Sequence, residues 1–497
     1  MKTSADTALS LEVHFQRFAQ QIVGHDYTFS TPTGPRPLIY ADWIASGRLY
    51  APIEKVMTES FGPLVGNTHS ESSLTGEAMT EAYRTAHRLI KQHVNAGPDD
   101  VIITQGSGMT GALAKLQRLL GLHIPERAKP YYRPPATERP VVFITHLEHH
   151  SNQTSWLECE ADVVIVPPGG HLLVSPAHLK AELEKYRERP YKIGAFSACS
   201  NVTGVFTPYH DLARLMHQYG GWCFVDFAAS APYVDINMHP PDEDAALDAL
   251  YFSPHKFLGG PGSSGVLIFN KKLYHNRVPD QPGGGTVLWT NPWGEHHYFE
   301  DIETREDGGT PAFLQTIRAA LAIQLKEQMN TKLIKAREAE LLDIAFARFD
   351  QMPGVHILAA GERHRLGVIS FYADNIHYNF IVRVLSDHFG VQVRGGCSCA
   401  GTYGHYLLHV DPEFSHHITD KIDRGDLSEK PGWVRLSLHP VMSHDELQYI
   451  LDAIEDIVRH PQRWQPLYRY ETSSNEFVPI TETHDIKQQV HRWFTLA

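Results

Sequence analysis

The chain has 497 residues, a net charge of −13, 42% hydrophobic and 20% charged residues, which is longer than one simple core and points to two or three units of ordinary domain size. The acidic balance gives no field to attract nucleic acid and no basic run is interleaved with aromatics, while no apolar run approaches the roughly 20 residues that span a bilayer. The opening MKTSADTALSLEVHFQRFAQQ is amphipathic but has no apolar stretch before a small-residue cleavage site, so a soluble, cytoplasmic protein with a small-molecule partner is expected, without nucleic acid or membrane.

In chain order, the opening helix gives way to a loop, TFSTPTGPRP, and then LIYADWIASGRLY. Residues 75–95 have helical apolar spacing, and the short strand DVIIT and helix MTGALAKLQRLLGLH follow. Short apolar runs recur at PVVFITH, ADVVIVP, KIGAFSA, GWCFVDF, LDALYFS and GVLIFN, with helices such as PAHLKAELEKYRER and PYHDLARLMHQYG between several of them. That alternation predicts a mostly parallel α/β sheet with helices on both faces.

A stretch rich in Gly, Pro and aromatics comes next, and one long helical segment over roughly 311–350 is expected to lead into a second, smaller α/β unit. Its elements are RLGVISFYA, VQVR, the loop RGGCSCAGTYGH, WVRLSLH and the helix HDELQYILDAIEDIVRH. The expected division is an N-terminal segment 1–45 packing with the small domain, a large domain 46–310, a small domain 311–460, and a tail 461–497 without assignment. No internal repeat or low-complexity segment stands out.

Three stretches carry chemistry. TQGSGMTGAL contains G-x-G-x-x-G at Gly106, Gly108 and Gly111 after a strand, but the region about 20 residues on is Pro-rich rather than a strand ending in a ribose-binding acid. What remains is a helix N-terminus whose N–H groups, with Ser107, suit a phosphate. Asp226 ends the apolar strand FVDF, where a parallel sheet opens toward a ligand, although capping a helix is an equal reading of it alone. Lys256 follows another strand in SPHKFLGGPGSSG; alone it reads as surface, but it is also well sited to reach a carbonyl, with Ser253 and His255 beside it as phosphate donors. A phosphate cradle, an acid and a lysine at strand ends are the parts that pyridoxal 5'-phosphate requires: an amine to hold it and an acid to keep its ring nitrogen protonated.

Five cysteines are too few and too unevenly placed for a disulfide framework. Cys159, Cys199 and Cys223 stand beside apolar residues and read as buried small hydrophobes. Cys397 and Cys399 lack a second ligand pair for a metal, and a bond between them would close a strained ring. As thiols they gain from Arg394 and nearby His405, which favour a thiolate, and from glycines that let the loop swing. HLEHH lacks H-E-x-x-H spacing and a nearby cysteine, so no metal site is expected.

Taken together, YADWIAS, GNTHSES, THLEHHSN, SACSNVTG, VDFAASAP, SPHKFLGGPGSSG, GGGT, REDGGTP, CSCAG and VRLSLH occur in the order and approximate spacing of class V aminotransferase-fold enzymes. The chain most resembles their cysteine desulfurase and selenocysteine lyase group, from about Tyr40 to about Arg459. The resemblance implies a fold-type I transferase: a large domain with a mostly parallel seven-stranded sheet, a smaller C-terminal α/β domain, and a homodimer. It implies Lys256 as the amine that holds the cofactor, Asp226 at its ring nitrogen, His149 stacked on the ring, and Asn201 near the ring oxygen and substrate.

Ser107, Gly108, Ser253 and His255 would hold the phosphate, with Thr286 reaching it across the dimer interface. Arg435, otherwise a surface salt-bridge arginine, would clamp the substrate carboxylate. Cys399 matches the nucleophile that takes sulfur from L-cysteine as a persulfide and releases L-alanine, with a sulfur-acceptor protein as partner. Two departures stand out: Ala229 where the family often has Gln to bond the ring oxygen, and Cys397 beside the nucleophile, a site for a sulfur relay or a protective disulfide. Aminotransferase, epimerase or lyase chemistry on another amino acid uses the same core, and a non-catalytic partner protein is a third reading.

Overall fold

The computed structural model describes residues 4–132, 134–135, 137–481 and 486–495. Its larger sheet has seven strands: β1 Asp100–Gln105, β2 Val141–Thr145, β3 Asp162–Val166, β4 Lys192–Ser197, β5 Trp222–Asp226, β6 Ala249–Phe252 and β7 Gly265–Asn270. They lie in the order β1-β7-β6-β5-β4-β2-β3. Only β7 runs against its neighbours β1 and β6; the other pairs are parallel.

The mostly parallel seven-stranded arrangement expected from the alternating runs is therefore present. β2, β4 and β6 are buried at every position, as a sheet covered on both faces demands. Covering helices begin where side chains satisfy their free N–H groups: Ser73 caps Leu74–His93 and Ser175 caps Pro176–Lys185. In register, Ser197 stands beside Asp226 and Asp226 beside Tyr251, so the loops leaving β4, β5 and β6 converge at one edge, where open α/β sheets bind ligands.

A second, antiparallel sheet contains β8 Val355–Ile357, β9 Val368–Ala373, β10 Arg394–Gly396 and β11 Trp433–Ser437, ordered β8-β9-β11-β10. Helix His444–Arg459, opened by a Ser443–Glu446 capping box, buries Leu447, Ile450, Leu451, Ile454 and Ile457 in the core behind that sheet. Ahead of β10, Val391–Gln392 pairs in parallel with Ile39–Tyr40. The opening helix Ser4–Ala19 touches both parts: Phe15 and Phe18 enter the larger core, and Glu12 pairs with His444 at 2.5 Å.

Two local expectations need correction. The single long helix over 311–350 is two, Phe313–Met329 and Thr331–Phe349, because Asn330 adopts φ 68° and its side chain accepts from the N–H groups of Lys332 and Leu333. The loop TFSTPTGPRP is a hairpin pairing Thr28–Thr31 with Gly34–Pro37, its turn closed by the Thr31 hydroxyl on the Gly34 carbonyl; prolines are tolerated there because the strands stand apart from both sheets. The unassigned tail contains a second hairpin, Tyr468–Glu471 with Glu476–Pro479. Among the described residues no helix is long and apolar enough to cross a membrane.

Candidate active site

A cavity of about 720 Å³ opens between the edge of the larger sheet and the strands β10 and β11. Its floor comes from strand ends. After β1 the chain turns at Gly106 (φ 63°) and delivers Ser107 and Gly108 to the start of helix Met109–Leu119. Ser253, just past β6, accepts from the Met109 N–H at 2.8 Å. A Cβ on Gly108 would stand 2.8 Å from the Ser253 hydroxyl, so only glycine lets the two loops approach and leaves a cradle lined by hydroxyls and backbone donors.

Asp226, at the end of β5, is 4% exposed, and one oxygen accepts from the Ala228 N–H at 2.8 Å. Burial pushes its carboxyl up to about 7, against the pull of that hydrogen bond and of Lys256. Lys256 ends the single turn Pro254–Lys256; burial pulls its amine down to about 8, with Asp226 opposing. His149 is held neutral, near 4, by burial and then by Lys256, and its Nδ1 accepts from the Ser151 N–H. His255 is lowered to about 4 for the same two reasons.

Behind His149, the buried Glu148 carboxylate accepts from Thr145 Oγ1 at 2.6 Å, Ser197 Oγ at 2.5 Å and Asn152 Nδ2 at 2.7 Å. That clamp fixes the histidine loop against β4. The motif THLEHHSN contained Glu148, but nothing in its spacing separates it from a surface acid.

The opposite wall carries the arginines. Arg435 on β11 is 3% exposed; its Nη2 donates to Asp42 Oδ1 at 3.0 Å and its Nη1 to the Asn201 carbonyl at 3.3 Å. Arg394, its partner in the β10–β11 register, donates to the other Asp42 oxygen at 2.9 Å. One carboxylate thus aligns two guanidinium groups at the cavity. Asp42 was not singled out from the sequence, because its partners are 352 and 393 residues away.

Cys399 is exposed and Cys397 half-buried, both are free thiols, and both line the cavity. The segment is more firmly held than its glycines suggest. Ser398 and Cys399 both have positive φ, at 53° and 55°, in a turn closed by the Ala400 N–H on the Cys397 carbonyl. Asn201 Nδ2 donates to the Ser398 carbonyl at 2.7 Å, the His150 N–H to the Cys399 carbonyl at 2.7 Å, and Trp433 Nε1 to the Ser398 hydroxyl at 3.2 Å. These bonds hold the cysteine segment in a defined turn. His405 does not reach the thiols; its ring nitrogens bond the Gly401 carbonyl and the Ser415 hydroxyl, both at 2.8 Å. No trio of metal-ligating residues exists among the described residues.

Most of the expected site residues therefore line one cavity: Ser107, Gly108, His149, Asn201, Asp226, Ser253, His255, Lys256, Cys399 and Arg435. Thr286 does not; it is buried in the turn of its own glycine run, its hydroxyl donating to the Gly283 carbonyl at 2.7 Å. Two buried polar atoms at the cavity, Asn201 Oδ1 and Arg435 Nε, find no partner among the described residues. Orphaned buried polar atoms are costly unless a ligand satisfies them. An anion-binding cradle of hydroxyls and backbone donors, a carboxylate and an amine facing the same space, and a guanidinium with one N–H still to satisfy fit a phosphorylated pyridine with an amino acid carboxylate beyond it.

The chain matches the family described as aminotransferase class-V over residues 39–450. It belongs to that family. It is 27% identical to a probable cysteine desulfurase from Halalkalibacterium halodurans over 73% of this chain and 84% of that one. It is 26% identical to a probable cysteine desulfurase from Staphylococcus epidermidis, over 73% and 83%. Among solved structures, a cysteine desulfurase from Thermococcus onnurineus superposes with TM-score 0.70 at 20% identity, covering 89% of this chain and 98% of that one. One from Escherichia coli gives 0.66 at 20%, covering 91% and 98%; both share the fold. Family membership makes this class V protein an enzyme dependent on pyridoxal phosphate.

Proposed function

We propose that this class V protein is a cytoplasmic, homodimeric cysteine desulfurase that moves the sulfur of L-cysteine onto Cys399 and releases L-alanine. One observation carries the reading: an exposed thiol, Cys399, shares a cavity with Lys256, Asp226 and Arg435. The relatives named as probable cysteine desulfurases support it.

When bound, pyridoxal phosphate supplies an electron sink that stabilises negative charge at the substrate Cα. Ser107, Gly108, Ser253 and His255 would hold its phosphate. Asp226 would face the ring nitrogen, and His149, neutral at physiological pH, would stack on the ring without adding a repelling charge. Arg435, aligned by Asp42, binds the substrate carboxylate through a planar fork, a task suited to arginine. Lys256, with an amine near 8, is a base that exchanges protons near neutrality and is sited to take the Cα proton. The Cys399 thiolate attacks the substrate sulfur; the C–S bond breaks, a proton restores the methyl group, and L-cysteine plus Cys399 thiol becomes L-alanine plus Cys399 persulfide.

A second reading, an aminotransferase, epimerase or lyase acting on another amino acid, draws on two observations. Ala229 stands at the cavity where a ring-oxygen donor is expected, and Asn201 spends its donor on Ser398. The test loads the purified protein with pyridoxal phosphate and incubates it with L-cysteine and reductant, scoring alanine and sulfide for wild type, Cys399→Ser and Lys256→Ala. Equimolar products, lost in both variants, are expected. A loaded wild type that makes no alanine overturns the desulfurase reading and calls for an amine-acceptor screen; no turnover with any amino acid favours a non-catalytic partner protein.

A further inference from the structure

The cavity has one wall from beyond residues 39–450, the stretch that matches the family. Asn475, at the tip of the C-terminal hairpin, has φ 58° and is 6% exposed. Its Nδ2 donates to the Tyr378 hydroxyl at 2.7 Å, its Oδ1 accepts from the Tyr470 hydroxyl at 2.9 Å, and its carbonyl accepts from Asn379 Nδ2 at 2.6 Å. The Tyr378 hydroxyl donates onward to the Lys430 carbonyl at 3.2 Å, and the Leu427 N–H donates to the Thr472 carbonyl at 3.0 Å.

This assembly presses on the segments that bear the arginines and lead into the thiols. A Cβ on Gly432 would stand 2.6 Å from the Tyr378 ring, and one on Gly395 would stand 2.3 Å from Asn379 Oδ1. The hairpin is therefore an anchored wall beside Cys397 and Cys399.

Two opposite charges stand on that wall. Lys430 and Glu476 line the cavity, and among the described residues no ion pair engages either one. The neighbouring Glu429, in contrast, is taken by Lys421 at 2.7 Å and His417 at 2.8 Å. Burial pushes the Tyr378 phenol up. The Lys430 backbone is bonded to its hydroxyl. The floor and Arg435 account for the cofactor and the substrate carboxylate, which leaves this wall as the approach to Cys399 for a second reactant.

Resting on the desulfurase reading, we propose that Lys430 and Glu476 form an acceptor subsite that receives a small zwitterionic thiol, an amino acid or short peptide bearing both a carboxylate and an ammonium group, and presents it to the Cys399 persulfide. The acceptor thiolate attacks the terminal sulfur, the S–S bond to Cys399 breaks, and the acceptor's proton passes to the released Cys399 thiolate. A thiol and a persulfide become a new persulfide and a thiol, with no outside oxidant.

The test charges the holoenzyme with L-cysteine, removes the excess, and measures persulfide discharge to glutathione, mercaptoacetate, cysteamine and 2-mercaptoethanol, with rates corrected for thiol ionisation. Glutathione is expected to be at least about tenfold faster than 2-mercaptoethanol. Lys430→Ala should slow only the carboxylate-bearing thiols and Glu476→Ala only the ammonium-bearing ones, with first-turnover alanine unchanged. Calorimetric binding of S-methylglutathione, which cannot react, should weaken at least tenfold in each variant. Equal rates for all four thiols, or variants that alter all four alike, overturn the proposal, and a persulfide inert to all of them points to a protein acceptor instead. If no persulfide forms yet S-methylglutathione binding depends on both residues, the desulfurase reading falls and the subsite stands.

Discussion

Asp42 holds Arg435 and Arg394 on its two oxygens, so removing its charge frees both guanidinium groups from the alignment that a bidentate carboxylate contact needs. Hydrogen bonds to charged groups contribute about 1.5–3 kcal/mol each. Asp42→Asn is therefore expected to raise KM for the amino acid substrate by about tenfold or more, with a smaller change in kcat; steady-state kinetics check the split. Lys256 gives a second expectation. With its amine near 8 and Asp226 raising it, the rate at which cofactor-free protein captures pyridoxal phosphate should climb as pH rises through about 8. Asp226→Asn removes the favourable charge and should move that midpoint to lower pH, read by stopped-flow absorbance. Lys256 and Asp226 were legible because strand-end positions announce themselves in a run of apolar residues. Asp42 and Glu148 were not, because a carboxylate's partners across the fold leave no local pattern. His405 misled for the converse reason: it is near the thiols in sequence, yet the helix Gly401–Leu407 turns its ring toward Ser415.

Among the elements, the break at Asn330 shows how a continuous helical period hides a boundary. Apolar residues recur on both sides of it, and only an asparagine in left-handed geometry, capping the second helix, separates them. Asn330→Ala is expected to cost about 2 kcal/mol, from the lost cap and the strained φ. Asn330→Gly should cost less, since glycine accepts the conformation; denaturant melts of the two variants give the comparison. The cysteine turn and the C-terminal hairpin were poorly legible for a related reason. Glycines suggested motion in the former, but the hydrogen bonds that pin it come from Asn201, His150 and Trp433, on three other elements. The hairpin strands are four residues each, too short to stand out among mixed polar neighbours, and their meaning lies in what Asn475 touches.

For the molecule as a whole, the alternation of apolar runs and helices predicted the larger sheet well, because a parallel sheet buried on both faces writes itself as continuous hydrophobic strands. The buried ionisable groups were beyond that reading, and they give the fold its response to pH. Glu338 accepts from the Gly367 N–H at 3.0 Å in the interior, and burial raises its carboxyl to about 8. Unfolded, it ionises near 4.5, so the unfolded state releases a proton that the folded state retains, and this contribution to stability is lost as pH rises from about 4.5 to about 8. Glu338→Gln should melt above wild type by a margin that grows across that window and is constant beyond it, as a series of thermal melts would register. His87 and His439 carry the opposite sign. Burial lowers both to about 3, so stability is lost as pH falls from about 6.5 toward 3.

The bridge from Asp42 to Arg394 and Arg435 also has a meaning in time. It joins groups separated by 352 and 393 residues, and closing so large a loop costs chain entropy before any contact repays it. The sheets, built from nearer neighbours, can consolidate first. A chain refolding from denaturant should regain its far-ultraviolet dichroism before it can hold an amino acid carboxylate, and during that interval it is folded in outline and chemically unfinished.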